Sequence, residues 1–163
     1  MIIRKELDEL YEWARTTKFP LYKLNNPEHY SNKRIDYSWN KLVDHKNKST
    51  IRKKFMTERI VEIHQNHEIL WSAIGVFYAG TKVSKHKDPD IFGDSYKRIQ
   101  IPLKIPDYDK CYMTWENGTV THWVEGEPQV HNVMDIAHDG CNLSDEEMIF
   151  LFLDVKKSTN VIL

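Results

Sequence analysis

The segment Lys85-His86-Lys87-Asp88 places an imidazole and a carboxylate two residues apart, where an extended stretch comes to an end. Residues at i and i+2 of a strand point to the same side, so His86 and Asp88 can grip a single ion. A His and an acid side by side on a surface are ordinary, and this pair alone says little. A third ligand must come from elsewhere, and His138, about fifty residues later, is the candidate. Two His and one carboxylate on one face of an octahedron leave the opposite positions open. That arrangement suits non-haem Fe(II) and oxygen chemistry. The remaining histidines fit less well. His64 and His67 share a helix face at i and i+3 but lack a third ligand nearby, His131 is close enough to His138 to stand behind it, and His122 reads as an exposed strand residue.

These residues need a scaffold, and the chain changes character along its length. From Glu6 to Arg15 the apolar positions Leu7, Leu10, Tyr11 and Ala14 recur at helical spacing. From Phe19 to His45 the prolines, the Asn25-Asn26 pair and the aromatics Tyr22, Tyr30, Tyr37 and Trp39 predict an irregular wrapping segment. A second helix is expected from Ser49 or Thr50 to about His67, with Phe55, Ile60, Val61 and Ile63 on one face. Beyond it the pattern becomes β. Residues 69–78 are apolar until Ala79-Gly80 breaks the run. Residues 96–105 alternate, with Ile99, Ile101, Leu103 and Ile105 opposed to Arg98, Gln100, Pro102 and Lys104. Asn117-Gly118 is a preferred hairpin turn between residues 112–116 and 119–124. Val130–Met134 is a further short strand, and Ile149–Val155 reads as a strand buried on both faces. Short strands with frequent turns predict a barrel or sandwich.

The 163 residues suit one domain, 1–163, with a helical and irregular part over 1–70 and a β core over 71–157. No apolar run is long enough to span a bilayer and the N-terminus is charged at once, so a cytoplasmic protein with no membrane partner is expected. Cys111 and Cys141 are too few for a disulfide framework. The net charge of −1 argues against a nucleic-acid partner. It is unevenly spread, however: residues 1–60 carry 14 Lys/Arg against 8 Asp/Glu. That part is either a solvated face or a guide for an acidic partner.

From Tyr78 to Val155 the chain resembles the aspartyl/asparaginyl β-hydroxylase family of 2-oxoglutarate oxygenases. The pieces occur in order: Ala79-Gly80-Thr81 before His86; Arg98-Ile-Gln-Ile-Pro-Leu-Lys-Ile-Pro106; Gly118, Trp123 and Gly126-Glu127; Met134-Asp135-Ile-Ala-His138 with Asn142; and Ile149-Phe-Leu-Phe-Leu-Asp154-Val155. The resemblance covers about half the chain and leaves the first 70 residues outside it. It implies a double-stranded β-helix (jelly-roll, cupin-type) barrel with N-terminal helices, in which His86 and His138 bind Fe(II). Asp88 adds a carboxylate that many members lack. The spacing from His138 to Asn142 is also that of the second cupin motif. The implied activity is Fe(II)- and 2-oxoglutarate-dependent hydroxylation of a protein side chain or an amino-acid-like small molecule, with the first 70 residues shaping the barrel mouth.

The pattern departs from that family where the far carboxylate of 2-oxoglutarate should be held. Met148 stands at the place of the usual Arg, and Gly75 at that of a hydroxyl residue. Arg98, Lys104 and Gln100 then become the candidate cosubstrate-binding residues, Arg98 by a bidentate pair, Lys104 as a second cation and Gln100 as a hydrogen-bond donor. Two other functions stay open: a metal-dependent cupin enzyme that does not use 2-oxoglutarate, favoured by Met148, and a non-catalytic binding module built on a degenerate barrel.

Overall fold

The computed structural model of the chain describes residues 8–19, 37–44, 49–50, 55–90 and 95–162. Two helices, α1 (Asp8–Thr16) and α2 (Glu58–Asn66), accompany ten strands. The strands are β1 (Tyr37–Asp44), β2 (Ser49–Thr50), β3 (Trp71–Phe77), β4 (Lys82–His86), β5 (Tyr96–Lys104), β6 (Cys111–Trp115), β7 (Val120–His122), β8 (Gln129–His131), β9 (His138–Asn142) and β10 (Met148–Lys156). They form a six-stranded sheet in the order β2-β1-β3-β10-β5-β8 and a four-stranded sheet in the order β4-β9-β6-β7. Every pairing is antiparallel. From β3 to β10 the chain passes back and forth between the two sheets, and its last strand lies between β3 and β5. This is the winding of a double-stranded β-helix, the jelly-roll barrel of cupins.

The larger sheet is buried on both faces, which explains why β3, β5 and β10 read as nearly continuous apolar runs. One face carries Ile74, Val76, Ile99, Ile101, Leu103, Ile149, Leu151, Leu153 and Val155, packed against Leu10 and Ala14 of α1 and Phe55, Ile60 and Ile63 at α2. The other face points into the barrel, where Trp71, Ala73, Met148, Phe150 and Phe152 meet Cys111, Met113, Trp115 and Trp123. Gly75 sits where a Cβ would lie 2.4 Å from Cε2 of Phe152, so the close ring packing depends on the missing side chain. The Asn117-Gly118 turn joins β6 to β7 as expected, with Gly118 at φ 83° and the Thr119 N–H donating to Asn117 Oδ1 at 2.9 Å.

The N-terminal part differs from the sequence expectation. Residues 37–44 are a strand, not irregular chain, and β1 and β2 extend the larger sheet beyond the eight barrel strands. A bulge between Lys41 and Val43 interrupts the period of two and hid this strand. Ser49 and Thr50 pair with Asp44 and Val43 instead of opening a helix. α2 starts later, at Glu58, because Thr57 is the cap and its side chain accepts from the Ile60 N–H at 3.3 Å. Residues 20–36 and 45, most of the expected wrapping segment, lie outside the described residues. No helix among the described residues is long and apolar enough to cross a membrane.

Candidate metal centre

β4 ends on His86 and β9 begins on His138, and the two residues are direct partners in the ladder. Antiparallel pairing therefore sets their rings side by side, with centroids 4.7 Å apart. Asp88 follows two residues beyond β4, and its N–H donates to the Val133 carbonyl at 3.0 Å, which fixes the backbone there. One ligand atom from each of His86, Asp88 and His138 lies within 4.8 Å of the others. The three residues that the sequence singled out are thus brought together at one end of a ladder that pattern reading did not supply.

The ring tautomers follow from the backbone. Nδ1 of His86 lies 2.7 Å from the Ser84 carbonyl and Nδ1 of His138 lies 3.0 Å from the Ile136 carbonyl. A carbonyl only accepts, so each Nδ1 carries the proton and each neutral ring turns the Nε2 lone pair inward. Those atoms face Asp88 Oδ1 at 3.2 Å from His86 and 3.7 Å from His138. Three acceptors converging on one point require a cation between them, either a proton or a metal ion. The donor set, two imidazole nitrogens and one carboxylate oxygen, fits a divalent transition metal with open positions, and the carbonyl bonds to Nδ1 are the outer support such ligands need. Hydrogen bonding to Asp88 raises the pKa of His86, whereas burial lowers that of His138. Burial opposes ionisation of Asp88, but Arg98 and then His86 outweigh it and hold the carboxyl below its usual range.

Arg98 does not stand free for a cosubstrate. Its Nε and Nη2 make a two-pronged contact with Asp154 at 2.7 and 2.8 Å, and its Nη1 donates to Asp88 Oδ2. The guanidinium lies against Trp71, Phe152 and Tyr96, with its centre 5.2, 5.6 and 6.0 Å from the respective ring centroids. The fork expected to take a cosubstrate carboxylate is filled by an acid of this same chain. Asp154 and Asp88 together overcome burial and raise the Arg98 pKa. The arrangement orients Asp88, since Oδ2 is tied to Arg98 and Oδ1 is left facing the two imidazoles.

Lys104, expected as a second cation, is paired as well. It pairs with Glu146 and Glu147 at 3.0 and 3.3 Å and is not among the cavity-lining residues. The ladder between β5 and β10 shifts register at Ile149 and Phe150, so the alternation that put Lys104 on the Arg98 face does not carry through. Gln100 does line the cavity, where its Oε1 accepts from Trp123 Nε1 at 2.8 Å. Met148 is buried within the barrel and brings no cation to that end of β10.

The cavity beside the metal cluster holds about 370 Å³ and is walled by Trp71, Phe77, Tyr96, Trp123, Phe150 and Phe152. Of the other histidines, His131 is half-buried next to Trp115, and desolvation followed by the nearby His138 lowers its pKa to about 4. His64 bonds the Ile60 carbonyl and Ser72 Oγ, at 2.7 and 2.8 Å, and this takes both ring nitrogens away from any ligand pair with His67. His122 stacks on Tyr108, with ring centroids 4.8 Å apart. Asn142, the Asn that follows His138, is a brace: its Nδ2 donates to the Phe77 and Glu146 carbonyls at 2.9 and 2.7 Å, tying β3 to the approach of β10. In the sequence Asp154 stands only as part of a strand ending. A lone acid in the apolar run Ile149–Val155 was the available signal that it must have a buried cationic partner.

No family model matches the chain, and no curated protein matches it either. Solved structures do. A cupin domain from Bordetella pertussis Tohama I aligns at a TM-score of 0.48 with 14% identity, over 77% of this chain and 99% of that one. A predicted oxalate decarboxylase from Thermotoga maritima aligns at 0.42 with 17% identity, over 58% and 72%. A nickel complex of a non-heme monooxygenase aligns at 0.42 with 16% identity, over 52% of this chain and 42% of that one. The fold assignment rests on the strand order itself: this chain is a cupin-type double-stranded β-helix carrying a His-Asp-His cluster that can hold a metal ion.

Proposed function

We propose that the protein is a mononuclear metal-dependent enzyme of the non-haem Fe(II) oxygenase type, acting on a small substrate held in the aromatic cavity. The observation that carries this reading is the convergence of His86 Nε2, His138 Nε2 and Asp88 Oδ1, all lone-pair donors, on one point beside that cavity. Iron(II) bound there would supply a redox centre for oxygen activation. The Ser84 and Ile136 carbonyls hold the two imidazoles in the ligating tautomer. Asp154 fixes Arg98, and Arg98 fixes Asp88. The six aromatic walls favour a flat, largely apolar substrate body.

Hydroxylation with 2-oxoglutarate as cosubstrate is the second reading, favoured by the ordered pieces from Tyr78 to Val155. It requires a cation other than Arg98 or Lys104 for the far carboxylate, because both are already paired. Anaerobic titration of metal-free protein with Fe(II) tests the first reading: one equivalent binds, and His86→Ala and His138→Ala each abolish binding. Unchanged affinity in both variants would refute the site. Adding 2-oxoglutarate to the iron-loaded protein then tests the second. The visible charge-transfer band of the chelate, and succinate on admitting air, are its expected signs.

A further inference from the structure

Lys41 enters the cavity from outside the eight-stranded barrel. It lies on β1 directly opposite Ala73 of β3, and ladder partners present their side chains on the same face. Ala73 belongs to the barrel-facing cluster, so Lys41 shares that face and lines the cavity. Leu42, the next residue, points to the opposite face and is fully buried in the aliphatic core. One cross-strand row therefore runs Lys41, Ala73, Phe152, Gln100. Three strand spacings separate its ends, roughly 14 Å. Ala73 contributes only a methyl group to that row, which leaves the face of the sheet open between the lysine and the Phe152 ring.

The charges along this wall are unequal. Arg98 is committed to Asp154 and Asp88. Lys41 is exposed and has no hydrogen-bond or ion-pair partner among the described residues. The acids that line the cavity are Asp88, already bound to Arg98, and Asp139, which neighbours His138 on the opposite sheet. An ammonium without a partner among the described residues, at the end of an aromatic wall, matches one negative charge on a ligand with an apolar body. A phosphate would call for several converging donors.

We propose that Lys41 anchors the anionic end of the ligand, a carboxylate whose flat apolar body lies along Phe152 and Trp71 toward the His86–Asp88–His138 centre. This deepens the proposed function and rests on it for the reacting end only. The probes are 3-phenylpropionate and its neutral isostere 3-phenylpropanamide, titrated calorimetrically into the full chain, both metal-free and loaded with Zn(II). The acid is expected to bind about fivefold tighter than the amide, as one partly exposed ion pair allows. Lys41→Gln should bring that ratio to about one, Lys41→Arg should keep it, and Zn(II) affinity should be unchanged in both. Equal binding of acid and amide, an undiminished ratio in Lys41→Gln, or no binding of either probe would overturn the assignment. Tighter, Lys41-dependent binding of 2-oxoglutarate than of 3-phenylpropionate would overturn the apolar-bodied class. Failure to bind Zn(II), with the acid preference intact in metal-free protein, would overturn the metal reading and leave the Lys41 assignment standing.

Discussion

The two faces of the larger sheet are made by alternate residues of the same strands, yet they do different work. On β5 and β10 the outward residues Ile99, Ile101, Leu103, Ile149, Leu151 and Leu153 are aliphatic and pack under the helices. The inward residues of the same strands are Arg98, Gln100, Phe150, Phe152 and Asp154. The outer face buries area without direction. The inner face buries charges, and a buried charge is tolerated only with its partner in place. Stability on one side depends on volume, and on the other it depends on a chain of specific pairs ending at Asp88.

The largest effect is expected from breaking that chain of pairs. Asp154→Ala leaves the Arg98 guanidinium buried with one carboxylate fewer, and should cost about 3–5 kcal/mol of unfolding free energy by denaturant titration. Metal affinity should fall with it, because Asp88 loses its orientation. Full metal affinity in a folded Asp154→Ala protein would detach Arg98 from the site. On the outer face, Leu151→Ala should cost about 3 kcal/mol through the cavity it opens, while metal affinity in the folded fraction stays unchanged. A matching loss of metal affinity would show that the two faces are not separable.

Gly75→Ala tests the close packing within the barrel. The added methyl meets the Phe152 ring, so a loss of about 1–3 kcal/mol is expected. Phe152→Leu in the same chain should recover part of it, and a double-mutant cycle reads the coupling.

The smallest effect concerns pH. In metal-free protein the raised pKa of His86 means that its protonated form is favoured on folding. That stabilisation is complete below the ordinary histidine pKa near 6.5 and is lost as pH rises through the folded value. Metal affinity runs the other way and grows over the same interval, since the proton and the metal compete for Nε2. His64, His131 and His138, with lowered pKa values, contribute the opposite slope. The His86 contribution is therefore read as a difference: between pH 5 and 8 the stability lead of the parent protein over His86→Gln should shrink as pH rises, while the parent's metal affinity grows.

Much of the barrel was readable in the chain because its signals are local. The Asn117-Gly118 turn, the alternation through residues 96–105 and the apolar run 149–155 each depend on near neighbours. β1 was not readable, since a bulge at Leu42 breaks its period and it gains its pairing from β3, some thirty residues away. The start of α2 was misplaced because several Ser and Thr residues can cap a helix, and only the folded chain shows which hydroxyl meets a free N–H. The partners of Arg98 and Lys104 were not readable for a related reason. The sequence shows a cation on a strand, but not which acid reaches it.

The types and order of residues alone marked His86, Asp88 and His138 as metal-ligand types on a β scaffold, because ligand identity belongs to the side chain itself. Tertiary structure decided the rest. Only the ladder between β4 and β9 sets His86 beside His138. Only the pairing of β5 with β10 hands Arg98 to Asp154. Only the added strand β1 turns Lys41 toward the cavity. These are long-range pairings, fixed by hydrogen-bonded register and burial, and no local pattern encodes them.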